Sequence, residues 1–467
     1  MMNPVKSLMG LVAFCLMFYA CRKESFTNSS ADLLSTTADS LHFDTVFTSA
    51  GSITQMVKVV NPNAKSIRLS SVTLGGGATS PFKINVDGVP GPNISNVEVG
   101  AKDSTYIFVT VTINPNSSNL AFIVSDSVKL EYNGNVKFIQ LRAYGQNAHF
   151  FRNRRITANE TWDNDLPYLI LDKLTVDTTA TLTINKGCRI FMHANAPLVV
   201  NGSLIVNGER FDSTRVIFTG DRLDEPYRNY PASYPGLVFN EISHNNVLTY
   251  AVIKNAYQGI AVTGLPSGTK LTLNETVIDN AFDAGLLGIN TSINARNLQV
   301  SNCGKSIFLV KGGNYNFTHC TVAAFSNSFV THREPALVIT NFLNENNLPV
   351  IRDLNASFRN CIFWGEANGF VNDEVVVLKQ GSSVFNIGFD QALWRVQTPP
   401  ANASLLGIIN NQNPAFDSVN NSQRIYNFNL KPNSPALNKG ATTPVTTDLR
   451  GLPRPVGLPD LGAYERQ

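Results

Sequence analysis

Two carboxylate sets in this chain have spacings suited to acid–base work. Asp279 and Asp283 lie four residues apart, within one predicted coil. Asp221, Asp224 and Glu225 share a loop with Arg222 and Arg228. Hydrolysis of a glycosidic bond takes two carboxyl groups flanking the bond, one giving a proton and one activating water or attacking. Elimination takes a basic side chain, Arg or Lys, beside carboxylates. The loop over 219–236 also carries Tyr227, Tyr230 and Tyr234, and Trp394 stands in a second long excursion, 386–409. Aromatic faces suit sugar rings, and Arg and Asp suit hydroxyls. Arg222, Tyr227, Arg228, Tyr230, Tyr234 and Trp394 are therefore the candidate ligand-binding set. The competing reading has these tyrosines covering the flank of the molecule. The histidines, His42, His149, His193, His244, His319 and His332, are scattered, and no spacing pairs one with a nucleophile. No CxxC or Cys/His cluster marks a metal site. No catalytic residue, metal ligand or cofactor is assigned, and Asp279 reads as a solvated turn residue.

The elements that hold these residues repeat. The stretches 248–260, 271–286, 293–309, 315–329 and 356–370 superimpose, each with two apolar or small residues two apart, followed by a turn. Residues two apart in a strand face the same way. Ala251/Ile253, Thr276/Ile278, Leu298/Val300, Cys320/Val322 and Cys361/Phe363 are thus expected to point inward, one pair above the next. The anchors Ile253, Ile278 and Val300 are 25 and then 22 residues apart, and Val322 to Phe363 is 41, with 325–355 as an excursion between rungs. Asn255, Asn280 and Asn302 fall on one line at a turn, where Asn tolerates left-handed backbone and its amide can bond the amide of the next coil. A repeat of this size means stacked units that bury their faces against neighbours. Shorter strand-like segments broken by Asn-Gly or Lys-Gly extend the pattern upstream to about residue 181. The expected element is a right-handed parallel β-helix, a solenoid, over 150–440.

Ahead of it, 54–60, 67–74, 106–113, 127–132 and 137–143 read as short strands separated by turn signals such as Asn61-Pro62-Asn63 and Asn133-Gly134. That spacing predicts an all-β sandwich over 41–147. With Val59-Val60-Asn61, Phe82-Lys83-Ile84, Val111-Thr112-Ile113-Asn114-Pro115 and Leu141-Arg142-Ala143-Tyr144-Gly145, it resembles immunoglobulin-like modules of bacterial surface and ciliary proteins, which implies a spacer or a capping partner and no chemistry.

The first residues are of another kind. Lys6 precedes an apolar run of about 13 residues that ends at Cys21. The run is too short to span a bilayer and right for an export signal. Phe18-Tyr19-Ala20-Cys21 resembles a bacterial lipobox, with Phe18 where Leu is usual. The resemblance implies cleavage after 1–20, a lipid on Cys21 that holds the protein to the membrane, and a Ser/Thr-rich tether over 21–40. Cys188, Cys303, Cys320 and Cys361 then remain, and the register makes unpaired core thiols the favoured state. Charged residues are 15% of the chain and the net charge is +3, so no nucleic-acid footprint exists.

The last motif is the most specific. Asn433-Ser434-Pro435-Ala436-Leu437-Asn438-Lys439-Gly440 is followed by Asp448-Leu449-Arg450-Gly451, Arg454-Pro455 and Asp460-Leu461-Gly462-Ala463-Tyr464-Glu465. It resembles the terminal segment of right-handed parallel β-helix proteins of the pectate-lyase-like superfamily, as found in Bacteroidota surface lipoproteins. The likeness covers roughly 150–467. It implies an outer-membrane lipoprotein of the bacterial cell envelope, with 441–467 capping the last open coil. The Gly-His-Gly turn and Arg-x-Lys strand of pectin-cleaving relatives are missing. The expected function is non-catalytic binding of a polysaccharide or a surface protein. The alternative is a lyase or hydrolase acting on an acidic polysaccharide, favoured if carboxylates converge with Arg or Lys in one cleft.

Overall fold

The computed structural model describes residues 25–48, 51–114, 122–265, 268–454 and 457–467. Cys21 and the export signal lie outside the described residues. The chain divides into two compact units, Met1–Asn147 and Ala148–Gln467.

The first unit is an immunoglobulin-like sandwich of two five-stranded sheets. Two-residue alternation builds it: in Ser104–Val111 the residues Ile107, Val109 and Val111 are fully buried, and in Ile67–Leu74 the alternation slips once, from Ile67 and Leu69 to Val72 and Leu74. Residues 25–40 depart from the expected tether. Ser35–Thr36 pairs antiparallel with Val59 and Val60, Leu34 enters the core, and Phe26 bridges to Ser66. Leu34 supplies the apolar anchor that holds this otherwise polar segment down, and the Asn63 amide donates to the Leu33 carbonyl at 3.0 Å.

The second unit is a right-handed parallel β-helix. A typical coil runs Leu237–Phe239, Asn246–Thr249, then Ala251–Lys254. The first two strands join a 17-stranded sheet and the third joins an 11-stranded sheet, each pairing in parallel with the next coil. Ile253, Ile278, Val300, Val322 and Phe363 are register partners in one inward column, each at most 1% exposed. The gap of 41 residues holds two strands of the long sheet, Leu337–Thr340 and Leu354–Arg359, and between them a protruding hairpin of Phe342–Glu345 with Leu348–Ile351. Cys188, Cys303, Cys320 and Cys361 are buried free thiols.

Single left-handed residues turn the chain from the long sheet into the short one: Tyr250, Glu275, Asn297, His319, Asn360 and Gln391, with φ between 46° and 57°. A second left-handed line, Asn255, Asn280 and Asn302, leads back out. The Asn280 Nδ2 donates to Asn255 Oδ1 at 2.8 Å, but the Asn302 amide turns aside to Asp279 at 2.9 Å.

The expected cap over 441–467, described over 441–454 and 457–467, does not close the open coil. It runs back along the flank, over the line of turn residues. Asn360 and Ala441 exchange two hydrogen bonds, Asn297 Nδ2 donates to the Thr447 carbonyl, and Arg215 donates to the Leu449 carbonyl at 2.7 Å. The unpaired turn amides of the coils, which need partners when covered, select this path. A hairpin of Phe416–Asn420 with Ile425–Leu430 covers the outer face of the short sheet at Ala323, Ile362, Trp364 and Leu393.

Candidate functional site

The loop over 219–236 gathers four of the six candidate residues. Arg222 is clamped on Asp224 at 2.7 and 2.9 Å and lies over the Tyr227 ring at 4.1 Å. Arg228 pairs with Glu225 at 2.5 Å. Tyr227 and Tyr230 approach to 5.2 Å, and Tyr230 packs on Phe329 at 4.6 Å. Tyr234 and Trp394 do not belong. Tyr234 is fully buried and bridges to Ala256, so its ring fills the solenoid wall. Trp394 continues the inward column as the register partner of Phe363. The supposed excursion 386–409 is a further rung, with Phe385–Asp390 stacked on Leu354–Arg359.

Asp279 is half-buried on the outer face of the short sheet and is not a solvated turn residue. Its Oδ1 accepts from Ser301 Oγ at 2.7 Å and Asn302 Nδ2 at 2.9 Å. Burial raises its carboxyl against the pull of these bonds and of Arg424 and Lys254. Asp283 is tied up by Gln258 and Lys305, and Asp221 by His193. Asp448, Asp460 and Glu465 are buried, and backbone N–H groups satisfy them, so they fasten the flank segment.

The site that the sequence reading missed is the outer face of the long sheet. Strands such as Leu354–Arg359 alternate buried Leu354, Ala356 and Phe358 with exposed Asn355, Ser357 and Arg359. Parallel register stacks the outward residues at about 4.8 Å intervals. One row runs Ser292, Asn314, Asn355 and Asn386, and another Thr272, Asn294, Asn316 and Ser357. Asn355 Nδ2 donates to Asn314 Oδ1 at 3.1 Å and Asn386 Nδ2 to Asn355 Oδ1 at 2.9 Å, so the amides are oriented in advance. Two cavities of about 460 and 540 Å³ share Asn294, Asn316 and Ser357, and Thr443, Pro444 and Val445 of the flank segment wall one of them. No Asp, Glu, His or Lys is among their lining residues. The lining cations are Arg296 and Arg359, bound to Glu275 and Asp390 at 3.1 and 2.8 Å. The repeated apolar–Asn–apolar run at 354–356 and 385–387, closed in each case by Phe and a charged residue, is the signal that marks this face.

Fold and groove together define a class: an immunoglobulin-like sandwich followed by a parallel β-helix with an amide-rich outer face. No family model matches the sequence, and no curated protein resembles it at a significant level. Among solved structures, a family 123 glycoside hydrolase from Clostridium perfringens aligns at 11% identity over 27% of this chain and 26% of that one, with a TM-score of 0.19. A PapD-like domain of human CEP192 aligns at 9% identity over 27% of this chain and 92% of that one, with a TM-score of 0.18. The chain thus spans about a quarter of the hydrolase it matches.

Proposed function

We propose that this is a lipid-anchored protein of the bacterial outer membrane, akin to Bacteroidota surface lipoproteins, whose β-helix holds a hydroxyl-rich glycan without cutting it. The carrying observation is the groove of stacked Asn, Ser and Thr side chains with no carboxylate in its lining. Amides and hydroxyls both donate and accept, as sugar hydroxyls do. A polymer laid along the helix axis meets the same rows at each coil. Glycosidase chemistry needs two carboxyl groups across the scissile bond, which this lining lacks. Tyr227 and Tyr230 offer a second, smaller contact surface. The enzymatic alternative is favoured by one observation, the neighbouring Lys254 and Asp279, which lie on the other sheet.

Glycan arrays of wild type and an Asn294→Ala/Asn316→Ala/Asn355→Ala variant test the reading. Loss of binding with an unchanged melting temperature is expected, since all three side chains are exposed. No glycan signal from the wild type, or equal signals from both, overturns it. Cys21→Ser is expected to abolish incorporation of labelled fatty acid, and retained label refutes the anchor.

A further inference from the structure

The stack of coils ends at Ser404–Leu406 and Ile409–Asn410. The first is the last strand of the long sheet and the second the last strand of the short one. Each pairs in parallel with the coil before it, Leu405 on Phe389 and Asn410 on Trp394. Among the described residues no strand pairs with the far side of either. The segment over 441–467 runs along the flank, and the hairpin over 416–430 covers a lateral face, so neither lies over this end.

The core is therefore open here. Phe317, Phe358, Phe389 and Leu405 form one inward column by register. The first three are at most 1% exposed, whereas Leu405 is 39% exposed. Ala403 and Ile408 pack against the same core and are only half-buried. Leu406, which points outward, is 64% exposed. Proteins commonly protect exposed strand edges with charged side chains. None stands here: 396–416 holds no Lys, Arg, Asp, Glu or His.

Two observations select what covers this end. It offers two strand edges at once, one in each sheet, held apart by the width of the coil. A single extended peptide pairs with only one of them, but the end of a second solenoid of the same cross-section brings both. The absence of charge points the same way. In a contact between copies related by a two-fold axis, residues near the axis meet their own counterparts. Any charge there would face its like, and a charge-free end meets no such repulsion.

We propose that this end is a self-association surface, on which two copies of the chain meet about a two-fold axis. Strand 404–406 of one copy pairs antiparallel with the same strand of the other, and each Leu405 covers the open core of its partner. The two long sheets then continue as one, with their outer faces on the same side. The contact closes at two copies, because each copy uses up its only open end of this kind in making it.

Light scattering on the full chain over a dilution series tests it. A mass of two chains is expected at high concentration, falling to one on dilution. Leu406→Lys and Leu406→Glu each set like charges across the contact, and each is expected to give the mass of one chain throughout. Mixing the two variants is expected to restore the doubled mass, since unlike charges then face each other. A loss of folding cannot produce that rescue. Melting temperatures in dilute solution establish that each variant folds, and Ser404→Lys, exposed on the same strand, stands in for one that does not. A single-chain mass for the wild type at every concentration, a doubled mass retained in the variants, or growth beyond two copies overturns the proposal.

Discussion

Asn280 Nδ2 donates to the side-chain Oδ1 of Asn255 on the coil before it, at 2.8 Å, and to the main-chain carbonyl of Asn229 in the covering loop at 3.0 Å. One side chain thus stitches coil to coil and loop to coil, from a left-handed φ of 57°. Asn280→Gly keeps the turn and loses the bonds, and is expected to cost about 1–3 kcal/mol for the groups left unpaired. Asn280→Ala adds left-handed strain of roughly 1–2 kcal/mol. Denaturant melts of the two variants check this, and equal stabilities remove the backbone part.

His319 is the acid-sensitive joint of the flank. Its Nε2 accepts from Asn360 at 3.0 Å and lies 3.2 Å from the Thr443 hydroxyl. Burial pushes the imidazole down to about 3 from an ordinary 6.5, with the nearby Arg454 adding to the effect. Below 6.5 the unfolded chain gains a proton that the folded chain refuses. Stability conferred by the neutral ring is therefore complete above pH 6.5 and is lost as pH falls towards 3, at roughly 1.4 kcal/mol per pH unit. Asn occupies the same turn position at 297 and 360, so His319→Asn is expected to fold and to flatten that slope in acid titrations followed by circular dichroism.

Trp394 is expected to matter for stability and not for ligand. It meets Phe389 edge-on at 5.1 Å inside the solenoid. Trp394→Ala opens a core cavity and costs about 3–5 kcal/mol. Trp394→Phe is expected to cost less, because the buried indole N–H has no partner to lose. Glycan binding per folded molecule should stay unchanged in both, and a selective loss of binding would return Trp394 to the site.

Arg454 and Glu465 form a buried ion pair at 2.8 Å. Arg454→Met leaves the buried Glu465 without its cation and is expected to cost about 3–5 kcal/mol. Adding Glu465→Leu should restore part of the loss. A double variant no better than the single one, in thermal melts, shows that the pair is not coupled.

Local period made the interior legible. Each of Ile253, Ile278, Val300, Val322 and Phe363 carries its strand's two-residue alternation, and that alternation decides which side chains face the interior. The same rule applied outward leads to Asn294, Asn316 and Asn355, but in an Asn-rich chain those amides look like turn residues until register stacks them. Asn302 shows the limit: its position on the ladder could be read, but its turn towards Asp279 depends on a carboxylate one coil away. Tyr234 and Trp394 misled because an aromatic residue in a long spacing suits either a loop or a rung. The path of the flank segment was illegible for a different reason. Arg215 meets the Leu449 carbonyl across 234 positions, and no short-range pattern encodes that contact.

That path changes how the solenoid comes apart. A bare stack of coils behaves like a one-dimensional chain, each unit held by its neighbours and free to fray from an open end. Here the stretch 441–449 bonds to turns at Asn297, His319 and Asn360 and to Arg215. Peeling one coil then disturbs a fastener shared by the others, and unfolding becomes a joint event. The coils are also synthesised before their fastener, so the nascent helix stays unlatched until those late residues arrive.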